Sequence, residues 1–311
     1  MKEVQDKIDA VMKEISKVIV GQEEVMKQII VAILCDSNAL LESYPGLGKT
    51  TMIKTLADIM ELKFSRIQST PDLMPTDITG TYVLEENDGK RQFNFYKGPI
   101  FAHIVLVDEI NRATPKTQSA LLEAMQEKQV TVGNKTFELE KPFFVLATQN
   151  PIDQEGTYPL PEAQTDRFLF KIKVNYPTIE EEDIIVDRFT GKKPEHSVQK
   201  IFDSKTLQKF QEYTREVPIA HDLKKRVLSI IASSRKEKGL IEYGASPRAS
   251  LGLVMASKAH ALLEGRNYVS KDDIELMAYP VLRHRLILNF EAEKKGMTTD
   301  DVIKVLLEKN K

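Results

Sequence analysis

A glycine-rich stretch between an apolar run and a helical pattern is suited to holding a polyphosphate. It reads Ser43-Tyr44-Pro45-Gly46-Leu47-Gly48-Lys49-Thr50-Thr51. Gly46 and Gly48 permit backbone angles that a side chain would forbid, so successive N–H groups can turn towards one anion at a helix N-terminus. Lys49 would then reach the β- and γ-phosphates of a nucleotide, and the Thr50 hydroxyl would ligate Mg²⁺.

The stretch matches the phosphate-loop pattern G-x-x-x-x-G-K-[ST] except at its first position, where Ser43 replaces glycine. A small polar residue is compatible with that position if its φ stays negative. The alternative is a strand-to-helix turn whose lysine has no part in nucleotide binding. The residues predicted to bind the nucleotide are Ser43, Pro45, Gly46, Leu47, Gly48, Lys49, Thr50 and Thr51.

Two acids close the apolar run His103-Ile104-Val105-Leu106-Val107-Asp108-Glu109. A fully apolar run predicts a strand that is covered on both faces. Ligands of open parallel sheets bind beyond the carboxyl ends of the strands, so both acids should lie beside the phosphates. Asp108 is predicted to bind Mg²⁺ and Glu109 to polarise the attacking water. The alternative is that the acids only mark the start of a helix.

Three further positions are weaker candidates for the same site. Asn150 ends the run Phe143–Thr148 and is suited to holding the attacking water, or else caps a turn before Pro151. The turn Val20-Gly21-Gln22 would line an adenine pocket with Gly21 and Gln22, or is merely a helix break. Arg248, in the first turn of a helix, would point towards the nucleotide, the alternative being a surface arginine.

The order of elements predicts an α/β nucleotide-binding domain over residues 1–177 and an all-helical domain over residues 178–311. Apolar strands alternate with helices up to Tyr176-Pro177, and no strand pattern follows. Two projecting β-hairpins interrupt the first domain, near residues 79–97 and 130–139. Helical periodicity covers six later segments, namely 178–190, 204–215, 219–238, 246–264, 270–282 and 298–309.

The composition predicts a soluble, cytoplasmic protein. The 311 residues are 41% hydrophobic and 29% charged, and their net charge of −2 provides no general attraction to nucleic acid or acidic membranes. No apolar run is long enough to span a bilayer. Cys35 is the single cysteine and the five histidines are scattered, so neither a disulfide nor a zinc site is expected.

Four ordered blocks resemble the MoxR family of AAA+ ATPases, and two later blocks extend the likeness over nearly the full length. The later blocks are Ser246-Pro247-Arg248-Ala249 and Val281-Leu282-Arg283-His284-Arg285-Leu286. The four are Pro45–Thr50, Val107-Asp108-Glu109-Ile110-Asn111-Arg112-Ala113, Ala147-Thr148-Gln149-Asn150-Pro151 and Pro161-Glu162-Ala163-Gln164-Thr165-Asp166-Arg167-Phe168. The resemblance implies a P-loop AAA+ core, with a five-stranded parallel sheet flanked by helices and two hairpin insertions, followed by a helical lid domain.

The resemblance also implies an ATPase that works as a homo-oligomeric ring of six subunits, with ATP and Mg²⁺ at each subunit boundary. Asn150 is then similar to the sensor that positions water with Glu109. Arg248 is similar to the lid arginine that contacts the γ-phosphate, and Arg167 to the arginine finger supplied to the neighbouring subunit. Such a finger typically contributes about 10³–10⁵ in rate. Ser43 and Tyr44 depart from the residues usual there.

The family's members are described as chaperone-like, and they often act with von Willebrand factor A domain proteins on enzyme complexes. A remodelling ATPase whose two hairpins contact a protein client is therefore the first hypothesis. A nucleic-acid motor is disfavoured, because Glu85–Asp88 and Gly133–Lys135 lack interleaved aromatic and basic residues. The third hypothesis is an assembly switch that binds ATP with little turnover. The presence of Glu109 and Arg167, both expected to act in hydrolysis, argues against it.

Overall fold

A twisted parallel sheet carries the first part of the chain. The computed structural model describes residues 2–87, 90–152, 156–191 and 197–310. Up to Val174 the helices are α1 (Lys2–Ser16), α2 (Glu23–Leu34), α3 (Lys49–Ile59), α4 (Pro75–Thr79), α5 (Pro115–Glu127) and α6 (Glu162–Thr165). The strands are β1 (Ala39–Ser43), β2 (Phe64–Gln68), β3 (Gly80–Asn87), β4 (Lys90–Lys97), β5 (Ile104–Asp108), β6 (Gln129–Val132), β7 (Lys135–Glu138), β8 (Phe144–Gln149) and β9 (Phe170–Val174).

The five central strands follow the order β2-β5-β8-β1-β9 and are all parallel. Every residue of β5 is buried, as its unbroken apolar sequence predicts. Because the strands are parallel, the segments that follow β1, β5 and β8 all emerge at one edge of the sheet, the carboxyl edge. The segments that precede the strands lie at the opposite, amino edge.

Both predicted hairpins are present, and the paired strands of the first extend further towards its tip than the sequence indicates. β3 and β4 pair from Gly80 opposite Lys97 to Asn87 opposite Lys90, whereas the polar residues from Glu85 onwards read as a turn. The ladder continues because Glu86 pairs with Arg91 across the strands, at 3.3 Å. Positions 88 and 89 of the expected turn lie outside the described residues. The second hairpin pairs β6 with β7.

The chain after Thr178 is mainly helical. Its helices are α7 (Ile179–Thr190), α8 (Ser204–Glu216), α9 (His221–Lys236), α10 (Pro247–Leu263), α11 (Lys271–Leu282), α12 (Phe290–Lys294) and α13 (Thr299–Lys309). The expectation that no strand follows Thr178 is wrong in one place, because β10 (Ile241–Tyr243) pairs with β11 (Ile287–Leu288). Strands of two or three residues are too short to show a period of two in the sequence.

The helical part packs directly on the sheet and on the N-terminal helices. α10 contacts α1, α2 and α8, while α11 contacts β9. One apolar cluster therefore includes Val4 and Ile29 as well as Phe210 and Leu253. We keep 177/178 as the proposed boundary because β9 ends shortly before it and Thr178 begins α7 with a capping box.

A buried ionic network joins α10 to α11. The Asp273 side chain is fully buried and lies 2.6 Å from His260 Nδ1 and 2.6 Å from Arg266 Nη1. Ser270 donates to the same carboxylate from its N–H and its hydroxyl, at 2.7 and 2.8 Å. Burial acts to raise the pKa of Asp273, but the hydrogen bonds from Arg266, His260 and Ser270 outweigh burial and hold this pKa well below its usual range.

No helix in the described ranges, 2–87, 90–152, 156–191 and 197–310, is both long and apolar enough to cross a membrane.

We expect Asp273→Asn to lower the free energy of unfolding by about 3–5 kcal/mol, because it leaves the Arg266 guanidinium without its buried counter-charge. The folded-state pKa of Asp273 lies below the unfolded value. Its contribution is therefore present above about pH 4 and is lost as the pH falls below that value. Urea unfolding followed by circular dichroism between pH 3 and 7 measures both effects.

Asp272→Asn is the matched control, because Asp272 is the exposed neighbour in the first turn of α11. Its effect should stay within a few tenths of a kcal/mol. Equal unfolding midpoints for the two variants at pH 7 would contradict a stabilising role for the network.

Candidate nucleotide-binding site

The glycine-rich loop joins the carboxyl end of β1 to the first turn of α3. Gly46 and Gly48 have φ of 83° and 68°, and a Cβ atom at either position would meet no heavy atom within 4 Å. The space in front of the loop is therefore open. No side chain caps α3, and its first turn contains no acid, so its N–H groups are available to an anion.

Lys49 lies folded back over this loop. Its ammonium donates to the Tyr44 carbonyl oxygen at 2.8 Å and to Ser43 Oγ at 3.2 Å. Partial burial lowers the pKa of Lys49, and the nearby charges of Asp108 and Glu109 oppose this effect. Ser43, at the position where the pattern expects glycine, is thus a buried hydrogen-bond acceptor for the lysine ammonium.

A cavity of about 510 Å³ opens beside the loop, within the size range of nucleotide pockets. The two tyrosine rings of Tyr44 and Tyr176 stack at its rim, with centroids 4.9 Å apart. The loop contributes Pro45, Gly46, Leu47, Gly48 and Thr51, and the remaining lining comes mainly from Val18, Ile19, Val20, Gln22, Met52, Tyr176, Pro177, Glu182, Ile185 and Phe189.

The turn between α1 and α2 forms one wall of this cavity. Gly21 and Gln22 both adopt left-handed backbone angles, with φ of 66° and 61°. The φ of Gly21 favours glycine, and a Cβ atom there would lie 2.5 Å from a carboxylate oxygen of Glu181, which would have to move. Gln22 Nε2 donates to the Asn175 carbonyl oxygen at 2.8 Å, which holds the turn against the segment after β9.

Asp108 and Glu109 end β5 at the same edge of the sheet as the loop. Thr148, the last buried residue of β8, contacts both. Its hydroxyl lies 3.4 Å from Asp108 Oδ1 and accepts the Glu109 N–H at 2.9 Å. Glu109 has a φ of 55°, a strained conformation for a residue with a side chain and one that is common at functional sites.

Basic and amide side chains from neighbouring elements hold the two carboxylates. Arg66 Nε lies 2.6 Å from Asp108 Oδ2. Arg112 Nε lies 3.1 Å from Glu109 Oε2, and Gln68 Nε2 approaches the same oxygen at 3.5 Å. Each acid therefore has a cationic partner within the chain.

Asn150 follows β8 at the same edge, next to the ends of β1 and β5. Its Oδ1 accepts the N–H of Ile152 at 3.2 Å, so the residue also caps the turn after β8. Both interpretations made from the sequence are compatible with this position. Asn150 shares a shallow pocket with Glu42 and Asn111.

The donor groups at this edge fit Mg²⁺ bound together with a nucleotide. Thr50 and Asp108 offer the hard oxygen ligands that Mg²⁺ prefers, and Mg²⁺ typically takes one or two protein ligands and completes its shell with phosphate and water. Among the described residues no cluster of three or more histidine, cysteine, aspartate or glutamate side chains could hold a metal alone. The open space before Gly46 and Gly48 is where phosphates would lie.

Arg248 does not lie near this edge. Its guanidinium is 3.4 Å from Asp166 Oδ2, beside the exposed Arg167. Asp166 precedes β9, and the surrounding pocket includes Ser37, which precedes β1. Both arginines therefore lie at the amino edge of the sheet.

The expectation that Arg248 contacts the nucleotide from above is not met within one chain. Ser43, at the start of the phosphate loop, pairs with Val174 at the far end of β9. The five-residue strands place roughly 13–17 Å between the two edges, more than an arginine side chain spans. The physical reason is the packing of the helical part against Asp166 and the start of β9, which carries Arg248 to the opposite edge.

Asp166 is the anchor of this arrangement. Its carboxylate accepts Ser246 Oγ at 2.9 and 3.0 Å and Arg285 Nε at 2.8 Å. The Arg285 guanidinium also donates to the carbonyl oxygens of Phe168 and Leu169, at 2.6 and 2.9 Å. The segment that bears Arg167 is thus held from the helical part.

His284 completes the contact between the two parts. Its Nε2 donates to the Phe168 carbonyl oxygen at 2.9 Å, and Nδ1 has no hydrogen-bond partner among the described residues. Burial of the ring, helped by the nearby charge of Arg285, holds the pKa of His284 well below its usual value, so the ring is neutral. Three sequence blocks, around Asp166, Ser246 and Arg285, therefore meet at one place.

Arg66, Gln68, Arg112 and Thr148 were not predicted as site residues. The available signal for two of them was that Arg66 and Gln68 flank the apolar Ile67, which puts both polar side chains on one face of a strand. Which acid these groups meet depends on the pairing of β2 with β5, a long-range fact that local patterns do not contain.

Two family models match the chain. Residues 38–170 match a model described as the ATPase family associated with various cellular activities, abbreviated AAA. Residues 234–305 match a model described as the AAA lid domain. The first match covers four of the five central strands with the loop and the acids, and the second covers Arg248 and Arg285.

Similar proteins extend over most of the chain. Chaperone MoxR1 of Mycobacterium tuberculosis is 43% identical over 95% of this chain and 79% of its own length. The Bacillus subtilis protein YeaC is 40% identical over 95% of this chain and 92% of its own length. A crystal structure from Cytophaga hutchinsonii, described as a candidate ATPase, has a TM-score of 0.92 and 42% identity, covering 99% of this chain and 95% of that one. The chain belongs to the MoxR family of AAA+ ATPases.

Proposed function

We propose that this chain is a Mg²⁺-dependent ATPase that remodels or matures a protein client in a chaperone-like way. The observation that carries the proposal is the meeting of the phosphate loop, Lys49 and the two acids at one edge of the sheet. These are the parts that phosphoryl transfer to water requires: a phosphate cradle, a metal ligand and a base for the water.

Each residue at this edge has a definite task in the proposal. The N–H groups of the loop and of α3 bind the phosphates, and Lys49 leaves Ser43 and Tyr44 to reach them. Thr50 and Asp108 hold the Mg²⁺, which neutralises charge that builds up on the phosphates. Glu109 takes the proton of the attacking water, and Asn150 orients that water. The adenine occupies the cavity beside Gly21 and Gln22.

Arg167 and Arg248 serve a neighbouring subunit in this proposal. Both lie exposed at the amino edge, far from the phosphate loop of their own chain. A head-to-tail contact would bring this edge to the neighbour's carboxyl edge, and repetition of the contact closes a ring, which we propose to be a hexamer. The γ-phosphate would then meet two arginines supplied together.

The exposed apolar surface supports a contact of this kind. None of the residues of α7 is buried, and Ile179, Val186 and Phe189 are 83%, 51% and 64% exposed. α7 borders the nucleotide cavity. Leu251, 71% exposed, lies one turn beyond Arg248. Burial of these side chains between subunits would remove an apolar surface from water.

The two hairpins are the proposed client contacts, and they pack against each other through aromatic side chains. Phe95 on the first stacks on Phe137 of the second, with ring centroids 4.4 Å apart, and Tyr82 and Phe101 extend the cluster. Further along the first hairpin, Leu84 and Phe93 face each other across the strands and are 49% and 67% exposed. An exposed apolar pair suits an apolar segment of a polypeptide.

The wider setting is proposed by analogy. The name Chaperone MoxR1 describes the relative from Mycobacterium tuberculosis, and it motivates the chaperone-like role proposed here. We propose a cytoplasmic protein whose partners are a protein client or a von Willebrand factor A domain protein, without membrane insertion. A nucleic-acid motor is the less favoured alternative, because Glu85 and Glu86 offset the basic residues Arg91 and Lys97 on the first hairpin and leave no basic stripe for a phosphate backbone.

The paired variants Glu109→Gln and Lys49→Met test the ATPase proposal. Glu109→Gln should lower steady-state hydrolysis by about 10²–10⁴-fold while ATP still binds, because only the base is lost. Lys49→Met should lose ATP binding as well. Phosphate release and titration with a fluorescent ATP analogue, both with Mg²⁺, measure the two quantities.

Lys54→Met is the control for Lys49→Met, since Lys54 is exposed on the same helix and should leave both quantities unchanged. A wild-type chain that binds ATP but shows no turnover at any protein concentration would favour an assembly switch over an enzyme.

The double variant Leu84→Ser, Phe93→Ser tests the proposed client contact. It should lose at least half of the ability to prevent aggregation of a chemically unfolded test protein in the presence of ATP. Its ATP hydrolysis in the absence of client should stay unchanged, because the pair lies outside the nucleotide site. Leu228→Ser, at a position 50% exposed on α9, is the control. Full protection by the double variant would exclude this pair as the contact.

A further inference from the structure

The carboxylate proposed to bind Mg²⁺ is already engaged by a cation of the chain itself. Asp108 Oδ2 lies 2.6 Å from Arg66 Nε, and Oδ1 lies 3.4 Å from the Thr148 hydroxyl. The Asp108 side chain is only 8% exposed, whereas that of Arg66 is 48% exposed. The acid is therefore held in place, and the arginine is the partner that is able to move away into solvent.

A guanidinium and Mg²⁺ compete for the same small carboxylate. Mg²⁺ demands oxygen ligands at about 2.0–2.1 Å in a nearly octahedral shell, and it brings two positive charges to the oxygens it binds. A guanidinium in direct contact with the same carboxylate would lie close enough to repel it strongly. The contact between Arg66 and Asp108 would therefore have to weaken or break on metal binding.

We propose that Arg66 is an internal counter-ion that occupies Asp108 in the nucleotide-free chain and is displaced when Mg²⁺ binds with a nucleotide. This inference rests on the proposed function, in which Asp108 is a Mg²⁺ ligand. Lys49 is less suited to the task, because its ammonium is held by Ser43 and the Tyr44 carbonyl oxygen. Arg112 pairs with Glu109 instead.

Displacement of Arg66 would also affect Glu109, because the side chain of Gln68 lies between the two residues. Arg66 Nη2 donates to Gln68 Oε1 at 2.9 Å, and the amide nitrogen of Gln68 approaches Glu109 Oε2 at 3.5 Å. When Arg66 leaves, Gln68 loses the contact that orients its amide. Metal binding at Asp108 thereby loosens the contact of Gln68 with Glu109.

The same strand leads towards the first hairpin. Ser65, next to Arg66 on β2, donates from its hydroxyl to the Pro99 carbonyl oxygen at 2.6 Å, just after β4 ends. The chain beyond Gln68 continues into α4 and then β3. The backbone next to Arg66 is thus tied to the segment that follows the first hairpin.

The variant Arg66→Met tests the proposal with a readout that does not depend on hydrolysis. The affinity for fluorescent ADP is measured while Mg²⁺ is raised from zero to several millimolar, which gives a half-saturating Mg²⁺ concentration. Removal of a competing, partly exposed ion pair should lower this concentration by roughly two- to fivefold. Arg66→Lys, which keeps the charge but loses the planar fork, should fall between Arg66→Met and wild type.

Two controls separate this inference from the proposed function. Arg91→Met removes an exposed ion pair on the first hairpin and should leave the Mg²⁺ dependence unchanged. Asp108→Asn should abolish it. If the wild type responds to Mg²⁺ but Arg66→Met has an unchanged or higher half-saturating Mg²⁺ concentration, the role of Arg66 is overturned and the proposed function is not. A wild type whose nucleotide affinity does not depend on Mg²⁺ would overturn the proposed function, and this inference with it.

Discussion

The carboxylate of Asp166 determines how the two parts of the molecule are joined. It binds Ser246, Arg248 and Arg285 from the helical part, while the buried Arg285 also binds backbone carbonyl oxygens before β9. A buried charge that lost its partner would be costly, so this contact has to form as a unit. Its consequence is geometric, because it fixes the start of α10 at the amino edge of the sheet and turns Arg248 away from the phosphate loop.

In the proposed ring, the two edges of the sheet carry complementary halves of one site. The carboxyl edge has the phosphate loop, the acids and the cavity, with negative side chains held by Arg66 and Arg112. The amino edge presents two exposed arginines with no phosphate loop near them. A single chain cannot bring these halves together across its own strands, whereas a head-to-tail neighbour can. Assembly and hydrolysis are coupled in this account for that reason.

The sequence was sufficient to predict the parts of the structure that depend on local pattern. The apolar run of β5, the glycines at 46 and 48 and the six main helices of the second part each follow from burial, backbone freedom or helical periodicity. The resemblance to MoxR proteins added the expected role of Arg167 and specified those already expected of Asn150 and Arg248, and the comparisons confirm the family itself.

What the sequence left out depends on contacts between distant segments. The side of the sheet on which Arg248 lies is set by Asp166, 82 residues away. The contact between Arg66 and Asp108 follows from the pairing of β2 with β5, and the one between Thr148 and Glu109 from the pairing of β5 with β8. No periodicity reports these pairings. Within the first hairpin the strands continue further towards the tip than the sequence indicates, because their outer pairs are polar and show no alternation.

The most direct measurement is hydrolysis by a mixture of two inactive variants. One carries Arg167→Ala and Arg248→Ala, and the other carries Glu109→Gln. In a mixed assembly, the Glu109→Gln subunit supplies intact arginines to a neighbour whose Glu109 is intact. The account predicts activity well above the sum of the two separate variants. If mixed assemblies form, as fluorescence energy transfer between labelled subunits would report, and activity still equals that sum, then sites shared between subunits are contradicted.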